Sequence, residues 1–237
     1  MIDYAHRGAS EYAPENTLSS FYLGLMQGAN GIETDVRRTK DGILVLFHDD
    51  TVDRVTDGSG KLSDFTLEEL KKLKVFGNNT TGFHDSVVTL REFLEKFSCY
   101  DITFAIELKG EGIEEDTLAM IKEFNLMEKT VFTSFQFDYI KKIKEIDKSA
   151  RVGWLIFTTE ESATEKLLSI GGEEICPQAE NVTSELMNEW RSAGLGVRAW
   201  GVLNVQLMKN MCDFKVDGMT VNFPDRLFQY LSQMKMG

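Results

Sequence analysis

The stretch that decides the fold is a short run of alternating apolar and charged residues, Ile32-Glu33-Thr34-Asp35-Val36-Arg37. In a β-strand, side chains two residues apart share a face. One face of this strand therefore carries Ile32, Thr34 and Val36, and the other carries Glu33, Asp35 and Arg37. A buried strand of an ordinary parallel sheet is apolar on both faces, because helices cover both sides. The charged face predicts that this strand borders a polar space.

A second stretch repeats the pattern, Phe104-Ala105-Ile106-Glu107-Leu108-Lys109. Glu107 and Lys109 share one face, and the apolar residues Phe104, Ile106 and Leu108 share the other. Charged faces on two strands fit the C-terminal mouth of a parallel barrel, where catalytic residues lie. The apolar faces would then pack against outer helices.

Short apolar strands alternate with amphipathic helices along the chain. The candidate strands are residues 2–6, 31–37, 43–47, 102–108, 130–134, 151–156, 173–176, 196–200 and 217–221. The candidate helices include residues 15–27, 115–124, 136–146, 183–193 and 204–211. If 43–47 is an accessory strand, the other strands and their helices match a TIM-type (β/α)8 barrel of the α/β class. Pro14-Glu15-Asn16-Thr17 reads as a helix start, with Pro and an acidic residue in the first turn.

Residues 50–100 interrupt this rhythm. They contain Asp57-Gly58-Ser59-Gly60, a short helix near 66–74 and a second Gly-rich stretch at 77–82. We interpret them as a small insertion after the second barrel strand, with too few apolar residues for a core of their own. Residues 1–237 then form a single catalytic barrel domain, and excursions of this length often border an active site.

The charge and hydropathy of the chain exclude several classes of partner. A formal net charge of −12 repels nucleic acid and anionic membranes. No apolar run approaches the ~20 residues of a membrane span, and the N-terminus lacks a signal-peptide pattern. We therefore expect a cytoplasmic protein without stable membrane insertion. Because Cys99, Cys176 and Cys212 are odd in number and far apart, we expect buried, reduced thiols.

Two of the three histidines, His6 and His48, stand at strand ends. A lone histidine is usually a core residue bonded to the backbone, but two imidazoles at strand ends can serve as general acid and general base. Asp49 or Asp50 would orient His48, or would simply be turn residues. The third histidine, His84, is expected to be a solvated loop residue.

The three carboxylates Glu33, Asp35 and Glu107 have no nearby cysteine or histidine pair, which favours a hard cation, Mg²⁺ or Ca²⁺, over zinc. Taken alone, each acid is better explained as a solvated residue at a strand end. Arg7 and Lys109 are candidates for contact with a phosphoryl oxygen or for salt bridges to these acids. A protein of this net charge needs such local positive charge to bind an anion.

The order and spacing of the motifs resemble those of the glycerophosphodiester phosphodiesterase family, in its short, cytoplasmic, bacterial type. The resemblance spans nearly the whole chain and rests on His6-Arg7-Gly8, Glu15-Asn16-Thr17, Glu33-Thr34-Asp35-Val36, His48-Asp49, Arg54-Val55-Thr56-Asp57-Gly58-Ser59-Gly60, Glu107-Leu108-Lys109, Ser134-Phe135 and Asp217-Gly218-Met219-Thr220.

The resemblance implies a TIM-type barrel with one divalent cation held by Glu33, Asp35 and Glu107. It implies His6 and His48 as the acid–base pair, with Glu15, Asn16 and Asp49 in support. Arg7 and Lys109 would bind the phosphate, and the insertion would help bind the glycerol end of the substrate. The expected reaction is metal-dependent hydrolysis of small glycerophosphodiesters, such as glycerophosphocholine or glycerophosphoethanolamine, to sn-glycerol 3-phosphate and an alcohol.

Three further positions bear on the substrate. Phe135 and Trp200 would either stack on the glycerol or the alcohol headgroup, or pack in the core. Asn222 stands where the family often has Asp, and we expect it to affect substrate preference more than activity.

Several alternatives stay open. A lysophospholipase D-like enzyme would favour an apolar rim, whereas Asn78, Asn79, Thr80, Thr81 and His84 make the insertion polar and favour a small soluble substrate. A non-catalytic phosphate-binding barrel would have lost a histidine or a metal ligand, and none is lost. A structural α/β protein would show no metal dependence. The choice between Mg²⁺ and Ca²⁺, the acid and the base, water or a glycerol hydroxyl as nucleophile, and the oligomeric state are undecided.

Overall fold

The computed structural model describes residues 1–77, 82–157 and 162–236. Its strands are β1 (Ile2–His6), β2 (Gly31–Arg38), β3 (Leu44–Leu46), β4 (Val75–Phe76), β5 (His84–Asp85), β6 (Val88–Thr89), β7 (Thr103–Leu108), β8 (Thr130–Ser134), β9 (Arg151–Ile156), β10 (Glu174–Pro177), β11 (Gly196–Val202) and β12 (Gly218–Val221). Strands β1, β2 and β7–β12 are parallel, and β1 pairs with both β2 and β12, so the sheet closes into the eight-stranded barrel that the sequence predicts.

A helix follows each barrel strand, directly or after an excursion. The helices are α1 (Leu18–Met26), α2 (Leu67–Leu70), α3 (Leu90–Phe97), α4 (Glu114–Glu123), α5 (Phe137–Ile146), α6 (Ala163–Ser169), α7 (Ser184–Ser192), α8 (Val205–Asp213) and α9 (Pro224–Met236). Of these, α2 lies in the insertion, and α3 is the helix that leads back from the insertion to β7.

The start of α1 differs from its prediction. Thr17 is the N-cap, and its side chain accepts a hydrogen bond from the backbone N–H of Ser20. Pro14 and Glu15 lie in the turns before the helix, because Asn16 has a φ of +56° and cannot continue a helical path. The expectation that Pro14 and Glu15 form the first helical turn is therefore wrong.

The main core lies between the barrel and its helices. The predicted apolar faces are buried in it, with Ile32 and Val36 from β2 and Phe104, Ile106 and Leu108 from β7. Full burial of such a side chain contributes roughly 1.5–3 kcal/mol. The alternation read from the sequence is thus the alternation between core and barrel interior.

The insertion has an apolar cluster of its own, which corrects the expectation that its residues are too few for one. The cluster consists of Val45, Phe47, Val52, Val55, Leu62, Leu70, Val75 and Val87. As expected, residues 43–47 supply an accessory strand, because β3 pairs antiparallel with β2. Leu44 and Leu46 face the main core while Val45 faces the second cluster, so one short strand serves both.

The three cysteines are not equivalent. Cys176 and Cys212 are buried free thiols, as expected, and burial raises the pKa of both. Cys99 is exposed, because it lies just beyond the end of α3, where the chain leaves the core. The expectation of burial is wrong for Cys99.

Two surface expectations have different outcomes. His84 is exposed as predicted, although it lies on the short strand β5 rather than in a loop. Asn78, Asn79, Thr80 and Thr81 lie outside the described residues.

None of the described helices combines the length and apolar character that crossing a bilayer requires, and the cytoplasmic location stays a prediction.

Asp3 is a buried carboxyl group on β1, and it lies outside the charged cluster at the barrel mouth. Neither of its carboxylate oxygens has a hydrogen-bond partner among the described residues. Burial, with a smaller contribution from Asp225, raises the pKa of Asp3 to about 8. The folded protein therefore retains a proton on Asp3 that the unfolded chain releases near pH 4.

Asp3→Asn should stabilise the protein at high pH. As pH rises from 4 to 8, the unfolded chain loses this proton and the folded chain keeps it, so wild-type stability falls and then levels off. The variant lacks this penalty. At ~1.4 kcal/mol per pKa unit, its advantage should grow with pH to the order of several kcal/mol. Urea unfolding at pH 5, 7 and 8.5 measures it, with exposed Asp64→Asn as the control; equal stability of Asp3→Asn and wild type at pH 8.5 would contradict the assignment.

Candidate active site

The carboxyl ends of the barrel strands surround a cavity of about 610 Å³. That volume lies within the range of pockets that bury small ligands. Its lining includes His6, Arg7, Glu33, His48, Glu107, Lys109, Phe135 and Trp200. The structure therefore brings residues predicted from six separate segments of the chain to one place.

Three carboxylates lie side by side on two neighbouring strands at this mouth. Glu33 and Asp35 come from β2 and Glu107 from β7, and Asp35 is the register partner of Glu107. All three are buried, and one carboxylate oxygen of each lies within 4.8 Å of the others. Burial and repulsion by Asp35 raise the pKa of Glu107 to about 7 and that of Glu33 well above its usual value.

This carboxylate cluster fits a hard divalent cation. Asp35 Oδ1 is buried and has no hydrogen-bond partner among the described residues, so one oxygen in the cluster is available as a ligand. Mg²⁺ and Ca²⁺ prefer carboxylate oxygens of this kind. Glu33, Asp35 and Glu107 are the residues that would hold it.

Arg7 is held above these acids by an unusual turn. Arg7 and Gly8 both adopt positive φ values, 54° and 81°. A Cβ atom at Gly8 would lie 2.4 Å from the backbone carbon of Ser20, so glycine is required there. In this turn Arg7 Nε lies 3.1 Å from Asp35 Oδ2, and Arg7 Nη1 lies 3.1 Å from Glu15 Oε1.

Lys109 is the second cation of the site. Its Nζ lies 2.8 Å from Glu107 Oε1 and 3.6 Å from Asp35 Oδ1. Although burial opposes ionisation, Arg7 and Lys109 hold the pKa of Asp35 below its usual value. Arg7 and Lys109 each pair with an acid and also line the cavity. A salt bridge to an acid and contact with a phosphoryl oxygen are therefore compatible for both residues.

Glu15 and Asn16 lie behind the site rather than in it. The Asn16 side chain donates to Asp35 Oδ2 at 2.9 Å and accepts from the Thr34 hydroxyl at 2.7 Å. Glu15 accepts hydrogen bonds from both Arg7 and Arg54. These contacts fix the orientation of the Asp35 carboxylate in the cluster and of the Arg7 guanidinium, which lines the cavity.

The two histidines have different partners. His6 Nδ1 lies 2.6 Å from Asn222 Oδ1, and its Nε2 lies 3.9 Å from Glu33 Oε2. His48 Nδ1 lies 2.5 Å from a carboxylate oxygen of Asp49. Burial lowers the pKa of both imidazoles. The two rings differ in their partners, because a neutral amide contacts His6 and a carboxylate contacts His48.

Asn222 contacts a candidate catalytic histidine, which the sequence did not indicate. Because of its hydrogen bond to His6, we expect Asn222 to act on that histidine rather than on substrate preference. Barrel closure was the available signal: β1 pairs with β12, and Ala5 is the register partner of Val221. The next residues along these strands, His6 and Asn222, must therefore be neighbours.

Arg54 is a second residue whose contacts at the site the sequence did not indicate. Its Nε donates to Asp49 at 2.5 Å, while its two Nη atoms donate to Glu15 at 2.7 and 2.9 Å. The insertion thus connects Asp49, the partner of His48, to Glu15, the partner of Arg7. The motif around residue 54 was recognised, but no pattern in the sequence indicates which carboxylates it meets.

An aromatic wall, formed by Phe135, Phe157 and Trp200, borders one side of the cavity. Phe135 and Phe157 stack with ring centroids 4.5 Å apart, and Trp200 stands perpendicular to both. The Trp200 indole N–H donates to the Ile156 carbonyl at 3.1 Å, which fixes its ring. Phe157, which the sequence reasoning did not single out, is 59% exposed at the rim.

Comparisons with known proteins agree with this geometry. The sequence profile of the glycerophosphoryl diester phosphodiesterase family matches residues 6–226. A glycerophosphodiester phosphodiesterase of Caldanaerobacter subterraneus subsp. tengcongensis is 35% identical over 231 residues, which cover 94% of each chain.

Two solved structures share the fold. One is an Oleispira antarctica phosphodiesterase in complex with the product sn-glycerol 3-phosphate, with 27% identity, a TM-score of 0.86, and coverage of 98% of this chain and 97% of that one. The other is a glycerophosphodiester phosphodiesterase from Thermotoga maritima, with 26% identity, a TM-score of 0.80 and coverage of 98% of both chains.

Glu33→Gln should weaken divalent cation binding by about tenfold or more, as expected for the loss of one charged ligand worth ~1.4 kcal/mol. The fold should persist, because glutamine has nearly the same size and removes a buried charge that repels Asp35 and Glu107. Wild-type affinity should rise from pH 6 to pH 8, since the cation competes with protons on Glu107 and Glu33. Calorimetry with Mg²⁺ and Ca²⁺ measures both effects. Exposed Glu115→Gln is the control, and unchanged affinity in Glu33→Gln would remove Glu33 from the ligand set.

Proposed function

The chain belongs to the glycerophosphoryl diester phosphodiesterase family and is a phosphodiesterase of that class, and we propose that it hydrolyses glycerophosphodiesters in a reaction that needs a divalent cation. The products are sn-glycerol 3-phosphate and an alcohol such as choline or ethanolamine. The observation that carries the proposal is the convergence of His6, His48 and the carboxylate cluster in one cavity. The product bound to the Oleispira antarctica relative supports a glycerol phosphate.

The charges of the site suit a phosphodiester. When all three carboxylates are ionised, they and the cations Arg7 and Lys109 together carry one net negative charge. A divalent cation held by Glu33, Asp35 and Glu107 would make that total positive and would supply charge stabilisation for the phosphoryl oxygens. Arg7 and Lys109 line the cavity beside the acids, where they contact the remaining phosphate oxygens.

The different partners of the two histidines support different roles for them in this proposal. Asp49 offsets part of the effect of burial, which disfavours protonated His48, and this partner suits the group that donates a proton to the leaving alcohol. Asn222 accepts from His6 Nδ1–H and leaves the Nε2 lone pair facing the cavity, which suits the base. His6 then deprotonates the nucleophile, which is water or the neighbouring glycerol hydroxyl.

The wild-type protein should release sn-glycerol 3-phosphate from glycerophosphocholine with Mg²⁺ or Ca²⁺, and a chelator should abolish the release. His6→Ala and His48→Ala should each lower kcat by ~10²–10⁴-fold with the fold intact, because general acid–base groups contribute about that much. A coupled assay for glycerol 3-phosphate measures the rates, and exposed His84→Ala serves as the control.

A substrate with a better leaving group separates the two roles. The p-nitrophenyl diester of glycerol phosphate releases a stable phenolate, so the rate of His48→Ala relative to wild type should largely recover, while His6→Ala should stay slow. No release from any diester with any cation would refute the proposed function. Wild-type rates in either histidine variant would instead refute the site.

A second candidate reaction is hydrolysis of diesters with a hydrocarbon chain, as in a lysophospholipase D-like enzyme. The observation that favours it is the apolar rim: Phe157 and Leu203 are 59% and 68% exposed, and both line the cavity. Large apolar side chains exposed at the rim of a ligand site offer a surface on which a hydrocarbon chain can lie.

Phe157→Ala distinguishes these substrates. If a hydrocarbon chain lies on the aromatic wall, the variant should lower kcat/KM for lysophosphatidylcholine by about tenfold, since loss of a buried aromatic contact is worth at least ~1.4 kcal/mol. The effect on glycerophosphocholine should be much smaller. Rates are measured with lysolipid below its micelle concentration, with Phe83→Ala in the insertion as the control. Equal losses on both substrates would count against a lipid substrate.

A further inference from the structure

A second cavity of about 540 Å³ lies beside the catalytic one. It is formed by the end of β2, the segment at residues 61–63 of the insertion and the loop after β7. Its charged lining consists of Arg37, Arg38, Lys40, Lys61, Asp50 and Glu111. None of these residues has a role in the reaction described above.

The charge of this second cavity contrasts with that of the whole molecule. Four basic and two acidic side chains line it, in a protein whose net charge is −12. The exposed side chains of Lys40 and Lys61 form no ion pair among the described residues. The lining therefore has an excess of positive charge, and a concave surface with such an excess concentrates anionic ligands.

The two arginines are paired but remain available to a ligand. Arg37 pairs with Asp50, whose side chain is largely exposed, and Arg38 lies 2.7 Å from Asp116, which is more than half exposed. The guanidinium groups are less exposed, at 15% for Arg37 and 31% for Arg38, but ion pairs to solvated carboxylates contribute only ~0–1 kcal/mol. A phosphate, which accepts several charge-assisted hydrogen bonds at once, can therefore compete with these carboxylates for the guanidinium groups.

The second cavity is built on the same chain segments as the catalytic site. Glu33, Asp35 and Arg37 follow one another on the same face of β2, and a strand advances ~3.3 Å per residue, so Arg37 lies about 7 Å beyond Asp35. Arg37 Nε also donates to the carbonyl oxygen of His48 at 2.9 Å. On the other side, Gly110 and Glu111 directly follow Lys109.

We propose that this second cavity binds a phosphate group, in addition to the diester that is cleaved. The proposal rests on the proposed function for the position of the scissile phosphate. Two sources share this chemistry: a second phosphate carried by the substrate itself, or a free phosphate or phosphomonoester that acts as a separate ligand. The distance of about one strand repeat between Asp35 and Arg37 suits two phosphates in one extended molecule.

The first experiment compares two substrates that differ only in the distal phosphate, glycerophosphoglycerol and glycerophosphoglycerol phosphate. The double variant Lys40→Glu/Lys61→Glu should raise KM for the phosphorylated substrate about tenfold, the equivalent of ~1.4 kcal/mol, with kcat unchanged. KM for glycerophosphoglycerol should not change.

The matched control is Lys142→Glu/Lys148→Glu. Both lysines are exposed, lie on or just after α5 and line neither cavity. This variant changes the net charge by the same amount, so it reports the effect of total charge alone. It should leave the KM values of both substrates close to those of wild type.

The second experiment titrates the cation-free wild-type protein with inorganic phosphate and follows the backbone amide resonances. Saturable shifts are expected at Thr39, Lys40 and Leu62, and they should be absent in Lys40→Glu/Lys61→Glu and retained in the control.

The outcomes separate the possibilities. A selective rise in KM supports the substrate's own phosphate as the ligand, and saturable amide shifts without a KM effect support a free phosphate. If neither the rise in KM nor the amide shifts are observed, the proposal is wrong. If wild type hydrolyses no diester, the proposed function fails, but the phosphate titration still tests this cavity.

Discussion

The burial of three carboxylates side by side is the constraint on which the rest of the site depends. Glu33, Asp35 and Glu107 lie on the inward faces of two paired strands, away from bulk water. Burying one unpaired charge costs several kcal/mol, and three like charges add mutual repulsion. Arg7 and Lys109 offset part of this cost, and the raised pKa of Glu33 and Glu107 reflects the part that they do not offset. The left-handed turn at Arg7 and the glycine after it exist because the guanidinium must reach Asp35 from the end of β1.

A second set of contacts supports this cluster from below and from the side. Inside the barrel, the buried Arg198 pairs with Glu174 at 3.0 Å, and its guanidinium lies over the Tyr4 ring at 5.2 Å. Arg198 also lines the floor of the catalytic cavity, where its charge opposes the rise in the pKa of Glu33. At the side, Arg54 joins Glu15 to Asp49. Through Arg54 the insertion therefore supports Glu15, which pairs with Arg7, and Asp49, which pairs with His48.

Much of the fold was predictable, because its signals are local. Strand alternation separates Ile32 and Val36 from Glu33 and Asp35 whatever the rest of the chain does, and the repeat of strand and helix leads to a parallel barrel. The errors also have local causes. The start of α1 depends on the positive φ of Asn16, and the second apolar cluster depends on β3 contributing its alternate side chains to two cores. Neither a backbone angle nor a shared strand appears in a pattern of residue types.

The sequence by itself determined the eight-fold strand and helix order, the inward acids and the two histidines at strand ends, because these follow from periodicity and motif order. Only the tertiary structure decided which groups meet across the closed barrel. His6 and Asn222 are 216 residues apart and become neighbours because the last strand pairs with the first. Arg54 and Phe157 reach the site from loops, whose paths no periodicity fixes. The basic cavity at Arg37 and Lys61 likewise exists only because the insertion folds back onto the end of β2.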